Sequence, residues 1–132
     1  MNAPRIQTNL SLRQVLSEDF QEYPIKGGWG YTMEDVIIID KNDPINTSQI
    51  FRGIQIEKSI VEKRIHEELI IFRPKGDRYM NIDWKMIKQN LYMKDDLVYD
   101  ELIYQVTAFS SLEPYSFSGG GQTFWFEISS FY

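Results

Sequence analysis

The sequence predicts an α+β fold: a largely antiparallel sheet of about five strands with one or two helices packed on one face. Three observations carry that expectation. Long runs in the second half, such as "ELIYQVTAF" and "QTFWFEI", alternate side-chain character with the period of a strand. Two stretches in the first half repeat with the helical period instead. Clusters of Pro, Gly, Asn and Asp separate the runs at short intervals, as turns do.

The first helical stretch is "NLSLRQVLSEDF". Ser11 and Gln14 stand at capping-box spacing, and Leu12, Val15, Leu16 and Phe20 share one face, so a helix is expected over 11–20. Pro24, Gly27, Gly28 and Gly30 then make 24–30 a loop, and the β-branched run Val36–Ile39 reads as a strand over 33–39. Four consecutive apolar residues bury both faces, which places this strand inside its sheet. "DKNDP" at 40–44 ends it in turn chemistry.

Residues 50–56 fit either element, since Phe51 and Ile54 follow a helical stripe while Ile54 and Ile56 alternate. From Glu57, "EKSIVEKRIHEEL" favours a helix over 57–68, supported by Lys63 with Glu67 and Arg64 with Glu68 four apart. The remainder reads as a meander with strands at 69–73, 79–92, 98–109 and 122–129. Pro74-Lys75-Gly76-Asp77 and Lys94-Asp95-Asp96 supply its hairpin loops. Gly119-Gly120-Gly121 reads as the flexible turn ahead of the last strand.

The bulk numbers bound the function. At 132 residues the chain (1–132) makes one domain. Fourteen Lys and Arg against nineteen Asp and Glu give a formal charge of −5, which argues against nucleic acid and towards a basic partner or a cation. The absence of cysteine removes disulfides, thiolate catalysis and cysteine metal sites. No apolar run exceeds four residues and no apolar stretch follows Arg5 as in a signal peptide, so no membrane association is expected and the cytoplasm is the default compartment.

Catalytic and metal signatures fail one after another. A P-loop needs glycines leading into a helix with Lys-Ser/Thr, whereas Gly121 leads into an alternating strand. His66 is the single histidine, which rules out a two-histidine metal site. Asp40, Asn42 and Asp43 imitate the start of a calcium loop, but its sixth and twelfth positions hold Ile45 and Phe51. Adjacent acids such as Glu67 and Glu68, or Asp95 and Asp96, point apart or lie in a turn, so none makes an acid–base pair. No metal site and no cofactor are expected.

What remains is a non-enzymatic binding module, its acidic surface steering a basic protein partner and exposed aromatics docking it. Trp29, Tyr31, Trp125 and Glu127 are the candidate contacts, two beside a glycine loop and two on the last strand. The analogy, from size and charge alone, is to inhibitors and immunity proteins. The alternative is a small-molecule-binding or enzymatic fold: a concave aromatic pocket with a carboxylate or His66 pointing inward and an abnormal pKa. A third reading is a structural subunit whose sheet edges pair between copies. Oligomeric state and strand order are not legible.

Overall fold

A computed structural model describes residues 8–16, 23–43, 53–71, 79–110 and 116–132. Five strands form one mixed sheet: β1 (Ile25–Gly27), β2 (Ile37–Ile39), β3 (Tyr79–Lys94), β4 (Leu97–Ser110) and β5 (Ser116–Glu127). Their spatial order is β1-β2-β5-β4-β3, antiparallel throughout except where β2 runs parallel to β5. Helices α1 (Leu12–Leu16) and α2 (Gly53–His66) complete the α+β architecture.

Alternation along β4 and β5 decides which face the helices cover. Leu102, Tyr104, Val106 and Ala108 of β4 and Phe124 and Phe126 of β5 are buried in one cluster with Ile37 and Ile39 of β2. Ile60, Val61 and Ile65 of α2 join it, with Leu69 one turn further on; Val61, Ile65 and Leu69 follow the helical stripe of the sequence, whereas Ile54, on the same stripe, is 68% exposed at the start of the described helix. α1 adds Leu12 and Leu16. Its cap is the expected reciprocal pair: Ser11 N–H donates to Gln14 Oε1 at 2.9 Å, and Gln14 N–H to Ser11 Oγ at 3.2 Å.

Several boundaries differ from expectation for physical reasons. The 24–30 loop contains strand β1, because Ile25 (1% exposed) buries against the core and the segment pairs with β2. β2 is only Ile37–Ile39, because 33–36 folds back into a turn; it does lie inside the sheet, between β1 and β5. α2 begins four residues earlier than expected among the described residues and absorbs most of 50–56 as helix. Glu67–Ile71 continues it as a π-turn rather than opening a strand at 69. Gly119–Gly121 lie within β5, not before it: Gly121 pairs with Gln105 and Ser118 with Thr107, so Val106 alone opposes Gly119 and Gly120 in a bulge. Phe20, Phe51 and the loop Pro74–Asp77 lie outside the described residues.

Candidate ligand-binding site

Trp29 and Tyr31 sit in a loop that Asp35 folds on itself. Its Oδ1 accepts from Trp29 N–H at 3.0 Å, its Oδ2 from Tyr31 N–H at 3.4 Å, and Gly30 takes a φ of +81° that favours glycine. Gly30 then lends its carbonyl to Trp125 N–H at 2.8 Å, docking the loop on β5. Both aromatics are half-buried, each with an internal partner. Trp29 packs against the core and its Nε1 donates to Leu10 O at 3.2 Å, while the Tyr31 hydroxyl donates to Glu68 Oε1 at 2.9 Å.

Arg64 is the reason for that arrangement. Fully buried on α2, it donates to the carbonyls of Trp29 and Thr123, each at 2.9 Å, so one guanidinium ties the loop to β5. Its plane is sandwiched between the rings of Tyr31 (4.2 Å) and Phe124 (3.6 Å). Nε lies 2.8 Å from Glu68 Oε1, an ion pair rather than an aligned hydrogen bond. Burial pushes the guanidinium below its usual pKa, and the charges of Glu68, Tyr31 and Asp35 oppose that. These contacts make Arg64 a structural knot between the loop, α2 and β5.

Trp125 and Glu127 lie on the opposite face of the sheet from Phe124 and Phe126. Trp125 is half-buried against Tyr92, ring centroids 5.5 Å apart, and Glu127 is buried at 7% exposure opposite Tyr99. The four residues singled out in the sequence are therefore not one surface. Tyr31 stands with Arg64 on the helix side, Trp125 with Tyr92 on the far side, and Glu127 presents little carboxylate to solvent. His66 is half-buried, its ring edge-on to Trp84 at 5.6 Å.

A cavity among the described residues lies elsewhere, with a volume of about 820 Å³. Its walls are the first described turn of α2, the parts of β3 and β4 nearer their shared turn, and the tail 128–132. Glu57, Asp100 and Ile128 form the buried floor; Ile54, Leu91 and Tyr132 form an exposed apolar rim. Two serines fix the tail in place. Ser129 Oγ accepts from Val98 N–H at 2.8 Å, while Ser130 Oγ accepts from Lys41 N–H at 2.9 Å and donates to Ile39 O at 3.0 Å. Phe131 then reaches Gly53 so closely that any Cβ there would collide with its ring.

The floor carries the chemistry. Glu57 (3% exposed) and Asp100 (2%) face each other across the α2–β4 contact. Gln89 Nε2 reaches over from β3 to both oxygens of Asp100, at 2.9 and 3.1 Å. Burial first, then a hydrogen bond to Asp100 and the charge of Asp100, raise the Glu57 pKa to about 9. At neutral pH Glu57 is a carboxylic acid donating to Asp100, and its Oε2 is left buried with no hydrogen-bond partner. Tyr104, two inward-facing positions further along β4, is raised by its own burial and then by these two acids.

This pair escaped the reading of neighbouring acids because its members come from different elements. The signal was nonetheless present. Glu57 lies on the α2 stripe with Gly53, Ile60, Val61 and Arg64, and Asp100 extends the buried alternation Leu102, Tyr104, Val106, Ala108 by one step. A carboxylate at a core position of each pattern was the visible anomaly. With three or more His, Cys, Asp or Glu nowhere clustered among the described residues, two acids and an amide fall short of a calcium ligand set. No protein family, no curated protein and no solved structure matches the chain, so what the site can do follows from its own residues.

Proposed function

We propose that the protein binds a small organic ligand in the cavity between α2, the β3–β4 hairpin and the tail 128–132. The observation that supports this most is the unpartnered Oε2 of Glu57. A buried acceptor without a donor costs about 1–3 kcal/mol, and a ligand in the cavity that Glu57 lines can supply the donor once the carboxyl turns towards it. The volume suits a small molecule, and an apolar rim over a polar floor is the usual division of labour in such sites. We place this activity in the cytoplasm, on the cysteine-free sequence. Among the described residues no helix is long and apolar enough to cross a membrane.

The test is a fragment screen followed by amide chemical shifts in ¹⁵N-labelled protein. Fragments that bind are expected to move the amides of Gly53, Gln55, Glu57, Leu91, Asp100 and Phe131 together, and to lose that effect in Leu91→Trp, which fills the mouth. Shifts scattered over the surface, or unchanged by Leu91→Trp, would sink the reading.

A second reading, a basic protein partner docked on the sheet, is favoured by a different observation. Among the described residues β3 is an edge strand of 16 residues, paired with β4 alone, and exposes Met86, Ile87, Tyr92 and Met93. Trp125 lies against Tyr92 at its side, so the contact would include Trp125 but not Trp29, Tyr31 or the buried Glu127. The same acidic charge that steers such a partner argues against nucleic acid.

A further inference from the structure

We infer that the cavity selects organic cations: a primary ammonium carried on an apolar or aromatic body, its N–H groups on Glu57 and Asp100. The inference rests on the ligand-binding reading and narrows it to a chemical class. Four features of the site lead there.

The floor offers a ligand acceptors rather than donors. Glu57 Oε2 has no donor, and Asp100 receives only two neutral ones, the acid proton of Glu57 and the amide of Gln89. Among the described lining residues there is no lysine, arginine or histidine, so a ligand carboxylate or phosphate would meet two acids. An ammonium offers three donors and a charge, and charge-assisted bonds of this kind are about twice as strong as neutral ones. The walls above the floor, from Ile54, Leu91, Ile128 and Phe131, fit a hydrocarbon or ring attached to that head. A formal charge of −5 raises the local concentration of any cation.

Binding is coupled to a proton. In the free protein Glu57 keeps its proton at neutral pH; an ammonium placed against it favours the carboxylate. The Glu57 O–H bond breaks, the proton passes to solvent, and the ligand keeps its own charge. The groups that face Glu57 are Asp100 and Tyr104 from β4, Gln89 from β3 and Tyr132 from the tail; the base among them is Asp100, its hydrogen-bond partner, and with ammonium N–H groups on both carboxylates the proton leaves for solvent. Affinity therefore increases as pH rises, by up to about tenfold per unit, until Glu57 is ionised without the ligand.

The test uses phenethylammonium chloride against its neutral isostere 2-phenylethanol, by calorimetry at pH 7.5 in two buffers of different ionisation enthalpy. We expect the ammonium to bind at least about tenfold more tightly than the alcohol, with release of about one proton per site. Glu57→Gln, nearly isosteric, is expected to abolish the proton release and most of the preference. Proton release in the wild-type protein stands as evidence even if that variant is unstable. Equal binding of ammonium and alcohol at the cavity amides overturns the cation inference and leaves the pocket reading intact; no shift of those amides by either probe removes both. Nα-acetyl-lysine methylamide distinguishes the source. Tighter binding of this peptide-like probe than of phenethylammonium overturns the assignment to a small-molecule amine in favour of a lysine side chain.

Discussion

Two buried side chains do opposite things with their charge. Glu57 gives its charge up, and the consequence is a pH dependence whose sign is fixed. Between about 4.5, the ordinary value, and about 9 the folded protein holds a proton that the unfolded chain has released. Folding stability is therefore greatest at the acid end of that window and declines as pH rises through it, at most about 1.4 kcal/mol per pH unit from this group. Urea unfolding at pH 5, 7 and 9 should show that decline in the wild type and a flatter profile in Glu57→Gln. An equally steep decline in the variant would mean that Glu57 is not its source. Arg64 keeps its charge, because Glu68, two carbonyls and two rings surround it. Arg64→Leu removes the cation beside buried Glu68 and the donor to both carbonyls, and should cost about 3–5 kcal/mol in chemical denaturation. Adding Glu68→Gln should recover part of that loss, since a neutral amide is cheaper to leave buried than a carboxylate.

At the scale of elements, the β3–β4 hairpin is the longest local unit, and its turn is chemically imperfect. Asp95 and Asp96 both adopt positive φ, 53° and 64°, the geometry of a two-residue turn whose favoured residues are Asn-Gly. Replacing the pair with Asn-Gly should therefore stabilise the protein by about 0.5–1 kcal/mol and remove two adjacent negative charges, read as a higher urea midpoint with unchanged slope. A lower midpoint would show that the aspartates make contacts that the turn geometry does not reveal. The bulge at Gly119 and Gly120 has the complementary role. The single residue Val106 opposite them bends β5 against β4 at one end of the pairing, leaving the register unbroken from Gly121 to Glu127 where Phe124 and Phe126 enter the core.

For the whole molecule, the helices cover one face of the sheet, and the other carries Tyr92 and Trp125 beside a long apolar-edged strand. The two functional readings occupy different faces, so variants separate them. Tyr92→Ala with Trp125→Ala should abolish capture of a basic protein partner at low salt and leave phenethylammonium binding unchanged. Glu57→Gln should do the reverse. Loss of both activities in either variant would show that the faces are not independent.

The sequence by itself determined what periodicity can encode. It set the α+β class, the cap of α1, the stripe of α2 and the alternation of β4 and β5, because each depends on residues within a turn or two of one another. It also placed a carboxylate in each buried pattern. What it could not determine was that Glu57 and Asp100 meet. That depends on the order β1-β2-β5-β4-β3, on α2 lying across β4 and on a tail pinned by Ser129 and Ser130, all contacts between segments far apart in the chain. Exposure of the aromatics was decided at the same level. Trp29 and Tyr31 look like surface anchors beside a glycine loop; the tertiary structure leaves both half-buried, with Arg64 from α2 bonded to the Trp29 carbonyl and stacked on the Tyr31 ring. Local patterns record which face of an element is buried; which elements face each other is settled by packing, and there the carboxyl pair acquires its raised pKa and its cavity.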